Sequence, residues 1–143
     1  MVTDAKDHPE RRVTSLIFVC AGNTCRSVMA EALTRRRFGD AVKASSAGLR
    51  PQRPEDATNA IETLKAEFGL DASGHIPRSV RDLDLNSFDY VVAMDKSIAK
   101  QLTGISKDRL IVWQIADPYG DDLSEYRRRA LEIMHQVASL PVG

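Results

Sequence analysis

Residues 15–27 read Ser15-Leu16-Ile17-Phe18-Val19-Cys20-Ala21-Gly22-Asn23-Thr24-Cys25-Arg26-Ser27. After its first residue the run to Val19 is continuously apolar, the mark of a strand buried on both faces. From Ser27 to Phe38 the pattern turns helical. Met29, Ala32 and Leu33 share a face, Arg35 to Arg37 mark the exposed end, and Gly39 stands where a C-terminal cap belongs. Between strand and helix lies a tight turn holding two cysteines, a glycine and an arginine. Glycine weakens a strand and arginine resists burial, so a packed core has no use for this turn. An anion does.

Outward from this unit the chain repeats its alternation. Val42 to Ser46 predicts a second strand, followed by Ala47-Gly48 and a loop from Arg50 to Pro54. Glu55 to Phe68 predicts a helix, with Ala57, Ala60, Ile61, Leu64 and Phe68 at helical period and Gly69 as its stop. Gly74 to Leu85 reads as irregular. Phe88 to Ala93 is a third strand, Asp95 to Leu102 a short helix, and Leu110 to Trp113 a fourth strand. Asp117 to Asp122 is a loop, and Leu123 to Leu140 a last helix closed by Pro141. The order βαβαβαβα implies α/β architecture, a parallel sheet with helices on both faces. Ligands in such sheets bind beyond the carboxyl ends of the strands. Cys20, Ala47-Gly48, Met94-Asp95 and Asp117 all follow strands, so the topology gathers them on one edge.

Composition narrows the function classes. The 143 residues suit one domain, with a loose tail over 1–12 and the folded unit over 13–143. Twenty basic residues balance twenty acidic ones. No global field therefore calls for nucleic acid or an anionic membrane, and any anion preference is built locally. The polar first twelve residues lack the apolar core of a signal peptide, and no apolar run approaches a membrane span, so the expected address is the cytoplasm. The two cysteines are too few for a disulfide framework, and their C-x4-C spacing fits zinc poorly.

In the turn, N–H groups at a helix start lack intrahelical acceptors and carry partial positive charge. Successive amides around Gly22 form a nest for a tetrahedral anion, and Arg26 offers a planar fork to two of its oxygens. A cysteine at a helix N-terminus beside an arginine is held as thiolate. Beneath a bound phosphoryl group, Cys20 is placed for in-line attack. C-x5-R alone is a loose pattern; following a strand and opening a helix narrows it. Cleavage also needs a proton on the leaving atom. Asp117, stiffened by Pro118, is the candidate acid, with Tyr119 as a pocket wall.

Val19-Cys20-Ala21-Gly22-Asn23-Thr24-Cys25-Arg26-Ser27 with the following helix resembles the signature of the low-molecular-weight protein tyrosine phosphatases. Their relatives include protein arginine phosphatases and a class of arsenate reductases. The likeness continues through Ser46-Ala47-Gly48, Ser73-Gly74-His75, Ala93-Met94-Asp95 and Asp117-Pro118-Tyr119. It implies a flavodoxin-like three-layer sandwich on a four-stranded parallel sheet, and a chemistry that uses no cofactor and no metal. It implies that Cys20 carries the phosphoryl group as phosphocysteine. Arg26 and the loop from Ala21 to Cys25 hold its oxygens, and Asp117 serves as acid and then base. Ser27 donates to the thiolate, while Asn23, Ser46 and His75 hold the loop shape. Cys25 matches the family's second cysteine, which forms a reversible disulfide with the nucleophile. The implied partners are a phosphorylated protein and free oxyanions such as phosphate, with no nucleic acid or membrane.

Three departures bear on the substrate. Thr24 stands where tyrosine phosphatases of this type carry a bulky aliphatic residue, Gly120 where many carry an aromatic, and Leu49-Arg50-Pro51 lacks the usual aromatic wall. Thr24 and the Asp-Pro-aromatic-Gly pattern resemble the arginine phosphatase branch, and a threonine hydroxyl can accept a guanidinium N–H where isoleucine cannot. Phosphotyrosine is the leading expectation and phosphoarginine the alternative. An arsenate reductase on the same scaffold is a further reading. Its thioredoxin-linked kind relays a disulfide through later cysteines, and no cysteine follows Cys25.

Overall fold

A computed structural model of the protein describes residues 12–142. Strands β1 (Thr14–Cys20), β2 (Val42–Gly48), β3 (Tyr90–Ala93) and β4 (Leu110–Val112) form one sheet in the order β2-β1-β3-β4. Every neighbouring pair is parallel. Between and after them run α1 (Arg26–Phe38), α2 (Thr58–Phe68), α3 (Lys96–Lys100) and α4 (Leu123–Val137). The expected alternation and parallel sheet are therefore present. From β1 the chain steps to β2 on one side and then to β3 on the other, so strand order reverses at the carboxyl end of β1.

β1 explains why its sequence is apolar without alternation. Leu16 and Phe18 enter a large core with α1, α2 and α4, including Met29, Leu33, Leu64 and Ile133. Ile17 and Val19 enter a smaller core with Val91, Ala93, Ile98 and Leu102 on the opposite face. All four β1 side chains are fully buried. At about 1.5–3 kcal/mol for each such side chain, this strand anchors both layers.

Boundaries shift by a few residues, each for a local reason. β2 runs on to Gly48, because Val19 and Cys20 pair with Ala47 and Gly48. Pro54 opens a 3₁₀ turn, Pro54–Ala57, in which the Asp56 carboxylate accepts the Arg53 N–H at 3.1 Å. The α-helix expected from Glu55 therefore starts at Thr58. β3 starts at Tyr90 rather than Phe88, since the Asp89 side chain takes the Ser15 N–H at 2.8 Å. Asp95 caps α3 from outside, accepting the Ile98 N–H at 2.8 Å. The last helix ends at Val137, although Leu140 beyond it stays buried. The expected loose tail lies outside the described residues apart from Arg12. Among the described residues no helix is long and apolar enough to cross a membrane.

Candidate active site

β1 ends at Cys20 and α1 begins at Arg26, so the intervening turn sits on the carboxyl edge of the sheet. No side chain caps α1, and its first turn carries no acidic residue. Its first N–H groups therefore keep their unpaired, partly positive character.

The Cys20 side chain is buried, 2% exposed. Its Sγ accepts the Asn23 N–H at 3.3 Å and lies 2.9 Å from Ser27 Oγ. Ser27 Oγ in turn accepts from Asn23 Nδ2 at 2.9 Å, which leaves its own proton for the sulfur. Asn23 Oδ1 accepts the Arg78 N–H at 3.0 Å, and this fixes which way the amide faces. Asn23 has φ 57°, the only positive φ of a non-glycine among the described residues. Its carbonyl accepts from His75 Nε2 at 2.7 Å, so the strained residue is held from both ends. Asn23 and His75 thus pair across the loop. Ser46 joins Asn23 through Arg78 rather than directly. β2 carries its hydroxyl beside α1, where it donates to Glu31 Oε1 at 2.5 Å. Only its carbonyl reaches the network, accepting Arg78 Nε at 3.0 Å.

Arg26 is also buried, 2% exposed. Its Nη1 donates to Asp95 Oδ2 at 2.7 Å and to the Ile115 carbonyl at 2.9 Å. Nη2 lies 3.8 Å from Asp117 Oδ2. Nε is buried with no partner. A buried donor without an acceptor costs about 1–3 kcal/mol, so this nitrogen favours any acceptor brought to it. Partial burial of Asp95 opposes ionisation, but the Arg26 guanidinium and the Ile98 N–H outweigh it and hold the carboxyl below its usual range.

Asp117 is about half exposed, and its Oδ1 accepts the Tyr119 N–H at 3.0 Å. Tyr119 stands over the opening, its hydroxyl 3.4 Å from Asp56 Oδ1. Cys20, Arg26, Asp117 and Tyr119 line one pocket of about 240 Å³, together with Ala21, Gly22, Thr24, Cys25, Arg50 and Gln52. A larger groove of about 840 Å³ runs past Glu31, Ser46, His75 and Arg78, but no cysteine lines it.

Four residues of this region were not singled out from sequence for the roles they take. Asp95 orients Arg26. Arg78 braces Asn23. Gln52 covers Thr24. Gly48 admits the loop: a Cβ there would lie 2.8–2.9 Å from backbone atoms of Ala21, Gly22 and Asn23. The positions of Asp95 and Gly48 after strands were the available signals; the roles of Arg78 and Gln52 depend on approaches between distant segments. Residues 49–52 are zipped to the turn by Leu49 N–H to Cys20 O at 3.0 Å, Arg50 N–H to Ala21 O at 2.8 Å and Gln52 N–H to Gly22 O at 3.0 Å. The Thr24 hydroxyl donates its proton to Gln52 Oε1, and Thr24 is only 1% exposed. The acceptor expected to face a guanidinium is therefore covered.

Cys25 faces inward, its Sγ 3.2 Å from the Tyr126 hydroxyl. Burial pushes its thiol up to about 11, against the lowering effect of the Tyr126 and Thr24 hydroxyls. Burial, with the Cys25 contact, likewise raises Tyr126 above the usual phenol range. In the unfolded chain the thiol ionises near 9.0, so the native state holds the extra proton between pH 9.0 and 11. Stability from this group is complete below that window and falls as pH rises through it. Urea titrations at pH 9 and 11 should show Cys25→Ala losing about 2 kcal/mol less than the wild type across the window. Burial, the larger cause of the Tyr126 shift, acts in both proteins, while the share that comes from Cys25 is lost with the thiol. Parallel declines would show that Cys25 is not held as a thiol.

The family described as low molecular weight phosphotyrosine protein phosphatase matches residues 15–141 of this chain. A low molecular weight protein-tyrosine-phosphatase of Bacillus subtilis, YfkJ, is 40% identical over 90 residues, 57% of this chain and 56% of that relative's length. Arsenate reductase 2 of Staphylococcus epidermidis is 31% identical over 87% of this chain and 94% of its own. Among solved structures, a low molecular weight protein tyrosine phosphatase from T. tengcongensis superposes with TM-score 0.79 at 33% identity, covering 87% of this chain and 95% of that one. The YwlE arginine phosphatase from Geobacillus stearothermophilus gives TM-score 0.73 at 28% identity, covering 87% and 88%. With the match running from β1 past α4 and the cysteine–arginine turn at the head of its central strand, the chain belongs to the low molecular weight protein tyrosine phosphatase family.

Proposed function

We propose that the protein hydrolyses phosphotyrosine in protein substrates by way of a phosphocysteine on Cys20. The observation that carries this reading is the buried, unpartnered Nε of Arg26, a residue that lines the same pocket as Cys20 and Asp117. In the first step the Cys20 thiolate attacks phosphorus. The P–O bond to the phenol breaks, and Asp117, in its protonated form, gives the leaving oxygen its proton. In the second, the Asp117 carboxylate takes a proton from water as that water attacks phosphorus. The S–P bond breaks, releasing phosphate and the thiolate. Arg26 and the turn's N–H groups hold the equatorial oxygens throughout, so positioning and charge stabilisation supply most of the rate. Asn23 and Ser27 direct donors at the sulfur, which suits the anion as both attacker and leaving group.

Phosphoarginine is a second reading, favoured by the likeness to the YwlE arginine phosphatase. Arsenate reduction through an internal thiol relay has no further cysteine to use in this sequence. Phosphate release from matched phosphotyrosine and phosphoarginine peptides, with arsenate-dependent thiol oxidation run alongside, separates all three. The expected order is phosphotyrosine first. Arsenate reduction without phosphate release from either peptide would overturn the reading.

The acid assigned to Asp117 has its own signature. Asp117→Asn should lower kcat/KM, which reports transfer to Cys20, by about 10²–10³-fold on phenyl phosphate, whose leaving oxygen needs the proton. On p-nitrophenyl phosphate, with a far better leaving group, the loss should be much smaller. Equal losses on the two esters would assign Asp117 a structural task instead.

A further inference from the structure

We propose that Gln52 is a specificity-determining residue: Thr24 anchors its side chain, and its amide selects oxygen-linked phosphoryl groups over phosphoguanidines. This rests on the phosphatase reading above and decides between its two substrates.

The placement is built rather than incidental. The Gln52 backbone is tied to the turn through Gly22 O at 3.0 Å. Its side chain lies so close over Gly22 that a Cβ there would sit 2.3–2.8 Å from its atoms. Gly22 thus makes room for Gln52, and the Thr24 hydroxyl holds the carbonyl end of the amide. An amide has one acceptor oxygen and one NH₂. With the oxygen engaged by Thr24, the NH₂ is the end left over, and it has no partner among the described residues. The side chain is half-buried and lines the pocket of Cys20, Arg26 and Asp117.

That leftover group is a pure donor. A phenyl phosphate presents only acceptors around phosphorus, and these receive an N–H well. A phosphoguanidine places N–H donors beside the phosphoryl group, so donor meets donor and both lose their water without a bond in return. Thr24 on this view acts through Gln52, as a positioning residue. The threonine that resembles an arginine phosphatase feature is here turned to the opposite use.

The test is kcat/KM on matched phosphotyrosine and phosphoarginine peptides for the wild type and five variants: Gln52→Met, Gln52→Glu, Thr24→Val, Thr24→Ser and the double variant Thr24→Val/Gln52→Met. Met keeps the length and removes the donor, so the tyrosine-to-arginine ratio should fall about tenfold. Glu replaces the donor with acceptors, and the ratio should fall further. A carboxylate repels phosphate from both peptides, which is why the ratio is read. Thr24→Val should lower the ratio as Met does, Thr24→Ser should keep it, and the double variant should match Gln52→Met alone. If Gln52→Met does not fold, Gln52→Glu carries the comparison. A ratio unmoved by the Gln52 variants overturns the inference, as does one that responds to Thr24 alone. A wild type that turns over neither peptide nor p-nitrophenyl phosphate removes the phosphatase reading, and this inference with it. Turnover with an insensitive ratio removes the inference alone.

Discussion

Cys20→Ser is expected to lose turnover by on the order of 10⁴-fold or more while still binding inorganic phosphate. The two properties separate because they reside in different atoms. On the proposed reading phosphate is held by Arg26 and by the N–H groups at the uncapped start of α1, neither of which the substitution touches. The hydroxyl fits in place of the sulfur and can take over the Asn23 and Ser27 contacts. It is a far weaker nucleophile, and the site holds no histidine to activate it; the imidazole of His75 is engaged with the Asn23 carbonyl. Steady-state rates on a phosphotyrosine peptide and calorimetric titration with phosphate check both halves. Activity within about tenfold of the wild type would place the nucleophile elsewhere.

The second large effect is expected at Arg26. Arg26→Lys keeps the charge but loses the fork. In the native protein one arm, Nη1, is fixed by Asp95 at 2.7 Å and Ile115 O at 2.9 Å, which leaves Nε and Nη2 for the oxyanion. A lysine ammonium is a single point. If it stays with Asp95 it withdraws from phosphate, and if it follows phosphate it abandons Asp95. We expect kcat to fall by about 10²–10³-fold with binding of phosphate weakened in parallel. Stability should drop by about 1–3 kcal/mol from the under-bonded Asp95 and Ile115 carbonyl. Stopped assays and thermal melts measure these separately. A lysine variant with wild-type kcat would show that charge alone suffices.

How legible this site was depends on how local each piece is. The strand, turn and helix around Cys20 could be read because burial on both faces forces an apolar run, and because Gly22 and Arg26 have no role in such a run unless it ends there. The parallel sheet followed from the alternation of elements, since β1 to β4 each carry their own hydrophobic signal. Asn23 with His75 was reachable only through family likeness: nothing local in Ser73-Gly74-His75 announces a bond across 52 residues. Ser46 reaches that network through its carbonyl and Arg78. Likeness identified the residue but not which of its oxygens would face the loop. Gln52 and Arg78 stayed silent, and Gly48 was placed on the right edge without its role, because their meaning lies in how closely distant segments approach. Boundaries moved where side chains competed with backbone partners, as Asp56 does for Arg53 and Asp89 for Ser15.

The approach at Gly48 has a thermodynamic consequence. Backbone atoms of the turn occupy the space where any other residue would carry its first carbon. The anion cradle is consequently not a loop hung from the sheet but a continuation of it, ordered when β1 and β2 pair. The entropy of fixing those residues is lost during folding, about 1–2 kcal/mol for each, and none of it is charged against the arriving phosphoryl group.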